Sequence, residues 1–155
     1  MLDRMDMKIL NLLAADGRMS NTELSERINL SQTPTLKRVK RMEEDGFIVG
    51  YKAILDEAKL GGSLTVFTWV SLINQKKESL LEFENLVSKA PQVMDCFLMT
   101  GDADYLLRIV VDNLNEFESF LTEKMARLVQ INSIKSSFAL RRIVQKNTPP
   151  MLSLD

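Results

Sequence analysis

The sequence of 155 residues contains no histidine and a single cysteine. Without histidine, the chain has no Ser-His-Asp or Cys-His catalytic pair, no HExxH metal site and no imidazole general base. The lone Cys96 excludes an intrachain disulfide, a CxxC redox pair and a four-cysteine zinc site, and it fits a reducing cytosol. Because most common enzyme mechanisms are removed, we expect a protein that is not an enzyme and that holds no metal or cofactor.

Long hydrophobic runs are also absent. The longest weakly polar run, residues 61–73, is far shorter than the ~20 apolar residues that cross a bilayer. Residues 1–13 are interrupted by charges, unlike the apolar core of a signal peptide. The length fits one domain or two small ones, and 45% apolar with 26% charged residues is an ordinary globular composition. We expect a cytoplasmic protein with no membrane partner.

The 20 basic and 21 acidic side chains nearly cancel, but they are unevenly distributed. Four of the five residues from 37 to 41 are basic, and no acid lies among them. A local basic cluster creates a positive surface even when the net charge is -1. The cluster therefore favours a nucleic-acid partner.

The first 60 residues predict three short helices. Asp3 is placed to cap the first helix, and Ser20 with Glu23 forms a capping box at the start of the second. After a turn, a third helix begins near Pro34, because proline is tolerated in the first turn, and it ends at Gly46. Two short helices joined by a turn indicate a helix-turn-helix, whose second helix lies in the major groove of DNA.

The third helix predicts the DNA contacts. Its periodicity places Leu36, Val39 and Met42 on an inward stripe, with Lys37 and Arg41 almost directly opposite. Short polar side chains at the helix start approach base edges, and basic side chains grip phosphates or read guanine. The predicted DNA-binding residues are Ser31, Gln32, Thr33, Thr35, Lys37, Arg38, Lys40 and Arg41.

Residues 61–155 predict a second domain, after a linker at 56–63. Their pattern of strand, helix, strand, strand, helix, strand is typical of a ferredoxin-like sandwich, with four antiparallel strands and two helices on one face. The last strand is expected at about 134–144. The predicted fold is α+β: a winged helix-turn-helix domain (residues 1–60), then the ferredoxin-like βαββαβ domain. The β-rich segment 47–55 is predicted to be a strand or a wing hairpin.

The first strand of that second domain predicts self-association. Val66 and Val70 alternate with Phe67 and Trp69, so both faces of the strand are apolar. Helices on one face leave the other face uncovered, and an exposed apolar patch marks an interface. We expect a homodimer that stacks these open sheet faces.

A turn at residues 100–104 has the groups that a small zwitterion needs. An amino acid requires a carboxylate for its ammonium group, and N–H groups or hydroxyls for its own carboxylate. The same spacing also fits a tight turn in which Asp102 and Asp104 only cap backbone groups. The predicted effector-binding residues are Thr100, Gly101, Asp104, Ser136 and Ser137.

Together, these motifs resemble the Lrp/AsnC family of transcription regulators, also called feast/famine regulators, over essentially the whole chain. The resemblance implies a regulator whose C-terminal domain dimerises, commonly builds octamers, and binds a free amino acid between dimers. Gly101 and Asp104 match the family's effector loop, and Ala103, where many members carry a tyrosine, favours a bulkier or apolar effector. The matching residues are Leu2-Asp3, Asp6, Ile9-Leu10, Gly17-Arg18, Thr22-Glu23-Leu24, Ser31, Thr33-Pro34, Leu36-Lys37-Arg38, Lys40-Arg41-Met42-Glu43, Gly46-Phe47-Ile48 and Thr100-Gly101-Asp102-Ala103-Asp104-Tyr105-Leu106-Leu107.

Two function classes stay open. The first is a DNA-binding transcription regulator that responds to an amino acid. For a dimer with all four basic side chains of each third helix on phosphates, about eight contacts predict a log–log salt slope near -7. The second is a ligand-binding or assembly module whose basic helix face is only solvated. Some haem-pathway decarboxylases also resemble the family, but they depend on histidine, which this chain lacks.

Overall fold

The computed structural model describes residues 1–128 and 130–146, which divide into two compact units. The first unit contains Met1–Ile54 and, of the described residues, 143–146. The second unit is Leu55–Arg142, so the linker predicted at 56–63 lies within it. Residues 147–155, the end of the predicted second domain, lie outside the described residues. Among the described residues, no helix is long and apolar enough to cross a membrane.

The first unit contains three helices, α1 (Arg4–Ala15), α2 (Asn21–Ile28) and α3 (Gln32–Glu44). The sequence-predicted caps are present: the Asp3 carboxylate accepts from the amides of Met5 and Asp6, and Ser20 and Glu23 form the reciprocal capping box. After α3, Gly46 has a φ of +76°, the left-handed conformation that favours glycine at a helix end. The core of the unit consists of Ile9, Leu10, Leu24, Ile28 and Met42.

The structure differs from the expected packing of α3 and from the expected strand after it. Leu36 is not on the inward stripe, since it is 43% exposed while Thr35 and Met42 are 0% exposed. The stripe is rotated because the flank of α3 that carries Arg38 also turns inward, toward an acid of α1. Segment 47–55 forms no strand, because no strand of the described residues pairs with it.

The second unit is built on a four-stranded antiparallel sheet in the order β2-β3-β1-β4, as the ferredoxin-like prediction requires. The elements, in chain order, are β1 (Leu64–Leu72), α4 (Lys77–Ser88), β2 (Val93–Leu98), β3 (Tyr105–Val111), α5 (Leu114–Ser119) and β4 (Ile131–Ala139). A single 3-10 turn, Ala58–Leu60, precedes β1. The helix begun by α5 continues as a π-helical turn, Phe120–Lys124, and a 3-10 turn, Met125–Arg127.

Alternation along β1 separates the two faces of the sheet. Val66, Thr68 and Val70 are 0% exposed in the core under the helices, while Trp69 on the opposite face is 37% exposed. This confirms that the helices cover one face only.

The predicted position of the last strand is wrong by several residues. Strand β4 ends at Ala139, which pairs with Thr65, because β1 begins only one residue earlier and offers no partner to the chain beyond. At its other end β4 reaches back to Ile131, which pairs with Leu72.

Candidate DNA-binding and ligand-binding sites

The start of α3 is fixed against α2 by two hydrogen bonds. The Asn21 side chain donates to the carbonyl of Gln32 (3.0 Å), and the Gln32 side chain donates to the Thr22 hydroxyl (3.1 Å). Ser31 is the N-cap residue and is exposed, as is Thr33. These bonds leave Ser31, Gln32 and Thr33 at the surface, where the helix-turn-helix motif contacts bases.

Thr35 is not part of that surface. Its side chain is 0% exposed, and its hydroxyl donates to the Ser31 carbonyl at 2.9 Å. A residue that is buried and internally bonded in this way stabilises the first turn of α3 and does not reach DNA. The short polar side chain of Thr35 therefore serves the fold of the motif.

The two arginines of the basic cluster contact acids of α1. Arg38 Nη1 lies 2.7 Å from one carboxylate oxygen of Asp6 and 2.6 Å from the Asp3 carboxylate. Arg41 Nη2 lies 2.5 Å from the other Asp6 oxygen. Asp6 itself is 1% exposed. The sequence-based expectation that Arg41 points directly away from the core is therefore wrong.

Hydrogen bonds and ion pairs favour the charged forms of Asp3, Asp6 and Arg38. The Asp6 amide and the Arg38 guanidinium lower the pKa of Asp3 to about 2. Burial alone would raise the pKa of Asp6, but the Asp3 amide and the two guanidiniums outweigh it and lower that pKa. Hydrogen bonds to Asp3 and Asp6 raise the pKa of Arg38. Both acids are therefore anions that compensate the arginines.

The lysines of the cluster remain in solvent. Lys37 and Lys40 are exposed, and no acid lies within 4 Å of either among the residues that the structure describes. A flexible, unpaired ammonium group is suited to a phosphate. Of the four predicted phosphate contacts, the structure thus leaves two uncompensated.

In the second unit, Asp104 fixes the end of β1. One of its carboxylate oxygens accepts from the Leu72 amide and the other from the Gln75 side chain, each at 2.6 Å. Its backbone amide donates to the Val70 carbonyl, and its carbonyl accepts from the Met99 amide. Each carboxylate oxygen therefore already accepts a hydrogen bond from the chain itself.

The turn before Asp104 is open and depends on a glycine. Gly101 is exposed and has a φ of +114°, which other residues rarely adopt, so the backbone requires glycine there. The neighbouring Asp102 is exposed, and no basic group lies within 4 Å of its carboxylate in the described part of the chain. Asp102, which the sequence-based list omits, is thus the uncompensated carboxylate of the turn.

The two predicted serines do not come together. Ser136 pairs with Thr68 on the helix-covered face, and their hydroxyl oxygens are 3.0 Å apart. Ser137 pairs with Phe67 and points to the opposite face, since successive strand residues alternate. Neither serine reaches the turn at 100–104.

A cavity of about 330 Å³ lies beside this turn, on the open face of the sheet. Of the predicted effector residues, only Thr100 lines it. Lys135 and Trp69 pair across β4 and β1 in its wall. Period-two alternation is a sequence signal that separates Ser133 and Lys135 from Ser136. Ser137 shares their face and is excluded only by the strand register, which pairs it with Phe67. The lining residues are Trp69, Ser71, Met99, Thr100, Asp102, Ala103, Ser133 and Lys135.

Asp6, which contacts both arginines of α3, is also absent from the predicted site residues. Its signal is its position in the inward series Asp6, Ile9 and Leu10 of α1. A charged side chain within an apolar stripe is buried with a partner, because an unpaired buried charge is costly.

Two protein-family models match the chain. One, described as winged helix-turn-helix DNA-binding, matches residues 2–49. The other, described as Lrp/AsnC ligand binding domain, matches residues 65–149. Together they cover the three helices of the first unit and the sheet of the second.

Similar proteins match the chain over nearly its whole length. It is 49% identical over 150 residues to the Bkd operon transcriptional regulator of Pseudomonas aeruginosa, covering 97% of this chain and 98% of that protein. It is 40% identical over 146 residues to the leucine-responsive regulatory protein of Escherichia coli, covering 94% and 89%. A solved structure of a transcriptional regulator from Neisseria meningitidis in complex with L-Met is 35% identical, with a TM-score of 0.93 and 97% of each chain covered.

Proposed function

This chain belongs to the Lrp/AsnC family of transcriptional regulators, and from that premise we propose that it binds operator DNA through α3 under the control of an amino acid. The family consists of DNA-binding regulators and not of enzymes. In this proposal the protein acts in the cytoplasm as a homo-oligomer.

The exposed surface of α3 is the observation that carries the DNA-binding proposal. Ser31, Gln32 and Thr33 supply donors and acceptors at the helix start, where base edges are read. Lys37 and Lys40 supply the phosphate contacts, since their ammonium groups have no acidic partner within the described chain. Arg38 and Arg41 are assigned to the internal cluster with Asp6.

The cavity beside the turn at 100–104 is the proposed effector site. Lys135 offers a cation for the effector's carboxylate, and Asp102 offers an anion for its ammonium group. Trp69 and Met99 form the apolar part of the wall, and Ala103 leaves room there. This combination fits an aliphatic amino acid such as leucine or methionine, in keeping with the leucine-responsive regulator and the L-Met complex to which the chain is similar.

The open face of the sheet is the proposed dimer interface. Trp69 lies in its centre, and Phe97 at its edge is 54% exposed. Stacking two such faces would bury an apolar patch that is otherwise in water. Light scattering that finds only a 17.7 kDa monomer at micromolar concentration would contradict this part of the proposal.

The proposed function is tested by DNA binding with and without an effector. Fluorescence anisotropy on the DNA upstream of the protein's own gene should show binding, and L-leucine or L-methionine should change its Kd about 5- to 150-fold. Leucine or methionine at 100 times its Kd should also stabilise the protein by about 2.7 kcal/mol. No binding to this DNA, at any amino-acid concentration, would favour the assembly module.

A further inference from the structure

Two of the four basic side chains of α3 form ion pairs with acids inside the first unit. Asp6 is 1% exposed, yet it accepts three hydrogen bonds, from the Asp3 amide, Arg38 and Arg41. Both arginines come from α3, the helix that the proposed function assigns to the major groove. A single buried carboxylate of α1 thus holds half of the basic groups of the recognition helix.

This arrangement changes how much positive charge α3 offers to DNA. The carboxylates of Asp3 and Asp6 cancel the charges of Arg38 and Arg41, whose side chains are 29% and 47% exposed. The remaining cations, Lys37 and Lys40, are exposed on the other flank. For a dimer, four uncompensated lysines give a contribution to the salt slope of about -3.6, in place of about -7 for eight contacts.

Building on the proposed DNA binding, we propose that Asp6 is a positioning residue that limits non-specific DNA affinity by holding Arg38 and Arg41 away from phosphates. Non-specific binding is almost entirely electrostatic, whereas base readout depends on where the helix start lies. Asp6 serves both requirements, because the same ion pairs that neutralise the arginines fix α3 against α1. With Asp6 present, we expect the ratio of specific to non-specific DNA affinity to be higher.

The chain offers a matched pair of variants for testing this proposal. Asp6 and Glu23 are both the acid of a capping box, and Asp6→Asn and Glu23→Gln each remove one negative charge from the first unit. Glu23, however, accepts only from Ser20 and has no basic partner within 4 Å among the described residues. A general change in net charge therefore affects both variants alike, and release of the arginines affects only Asp6→Asn.

The measurement is the salt dependence of the full-length protein's Kd for a DNA fragment with its binding site and for random-sequence DNA. In Asp6→Asn, Arg41 loses its acidic partner while Arg38 keeps Asp3, so two freed arginines per dimer should steepen the slope by about 1.8 units. Affinity for random DNA should rise at least tenfold, and the specificity ratio should fall. Glu23→Gln should leave the slope unchanged. Equal slopes for the two variants would overturn the inference, and absence of wild-type DNA binding would instead overturn the proposed function.

A second variant covers the case in which Asp6→Asn does not fold, as judged by circular dichroism. Asp3→Asn keeps the helix cap, since asparagine caps as well as aspartate, but it removes one of the two partners of Arg38. The slope should steepen in the same direction by a smaller amount. A slope equal to that of Glu23→Gln would overturn the inference.

Discussion

The two units place their ionic clusters around opposite charges. In the first unit, the anion Asp6 is buried at 1% exposure, and two arginines of one helix surround it. In the second unit, Arg108 on the open face of the sheet is 18% exposed and pairs with Asp95 and Glu57, which are 43% and 28% exposed. In the first cluster only the central carboxylate is removed from water, since Arg38 and Arg41 are 29% and 47% exposed, whereas every member of the second cluster keeps contact with water. We therefore expect the ion pairs of the buried Asp6 to contribute more to the free energy of unfolding than those of Arg108.

Removing the arginines that contact Asp6, or Arg108 from the second cluster, should give the largest difference in stability between the two units. Arg38→Ala/Arg41→Ala leaves Asp6 charged, buried and unpaired, and we expect a loss of about 3 kcal/mol in the free energy of unfolding. Arg108→Ala leaves Asp95 to water, and Glu57 keeps its 3.2 Å ion pair with Arg142, so the loss should be about 1 kcal/mol. Urea denaturation followed by circular dichroism measures both. Equal losses would contradict the claim that the burial of Asp6 makes its ion pairs more important for stability.

The turn at 100–104 contains two carboxylates with different roles. Asp104 accepts hydrogen bonds within the chain, whereas Asp102 is proposed to bind the effector. Asp104→Asn replaces one of the two oxygens that accept from Leu72 and Gln75, and it removes the charge that strengthens both bonds. We expect a loss of about 1–2 kcal/mol in stability. Asp102→Asn should leave stability unchanged and weaken leucine or methionine binding in calorimetry. The assignment fails if Asp104→Asn loses effector binding at unchanged stability.

Ser136 and Ser137 also differ in their internal contacts, and the expected effects of replacing them are smaller. Ser136→Ala leaves the fully buried Thr68 hydroxyl without its 3.0 Å partner, so thermal unfolding should show a loss of about 1 kcal/mol. Ser137→Ala, on the open face, should be neutral in stability. Neither variant should change amino-acid affinity, because neither serine lines the cavity. A tenfold weaker affinity in either variant would place the effector elsewhere.

The smallest expected effect is the loss of stability of the first unit as the pH falls. The folded-state pKa of Asp3 is about 2 and that of Asp6 is also lowered, both below the ordinary value of about 4. A group with a lowered pKa adds stability above its unfolded-state pKa, and this contribution is lost as the pH falls. Stability should therefore decline from about pH 4 toward pH 2. Asp3→Asn should flatten that decline, and an identical pH profile for Asp3→Asn and wild type would argue against the ion pair.

Local rules predicted much of the fold. The capping box of Ser20 and Glu23 depends on four consecutive residues, and strand β3 from Tyr105 to Val111 depends on a short apolar run that ends at turns. Such features are visible in sequence because their causes are adjacent in the chain. The segment 47–55 and the end of β4 depended on whether a partner strand exists, which no local pattern reports.

The candidate sites were less predictable, because their residues are defined by distant partners. Arg38 and Asp6 are 32 positions apart, as are Asp104 and Leu72. Composition identifies a basic helix or an acidic turn, but it does not reveal that the chain itself occupies those charges. Lys37 was predicted from the sequence, but its separation from Arg38 and the proposal of Asp102 required knowing which charges have internal partners.

The most direct test of the central claim is the salt slope of Lys37→Ala/Lys40→Ala against wild type, measured by fluorescence anisotropy on the same DNA. If the exposed lysines of α3 grip phosphates, the loss of four contacts per dimer should flatten the slope by about 3.6 units. Affinity should fall for all sequences alike, about a hundredfold or more at 0.1 M salt, while circular dichroism stays unchanged. A folded double variant that keeps the wild-type slope and affinity would contradict the assignment of α3 as the DNA-binding helix.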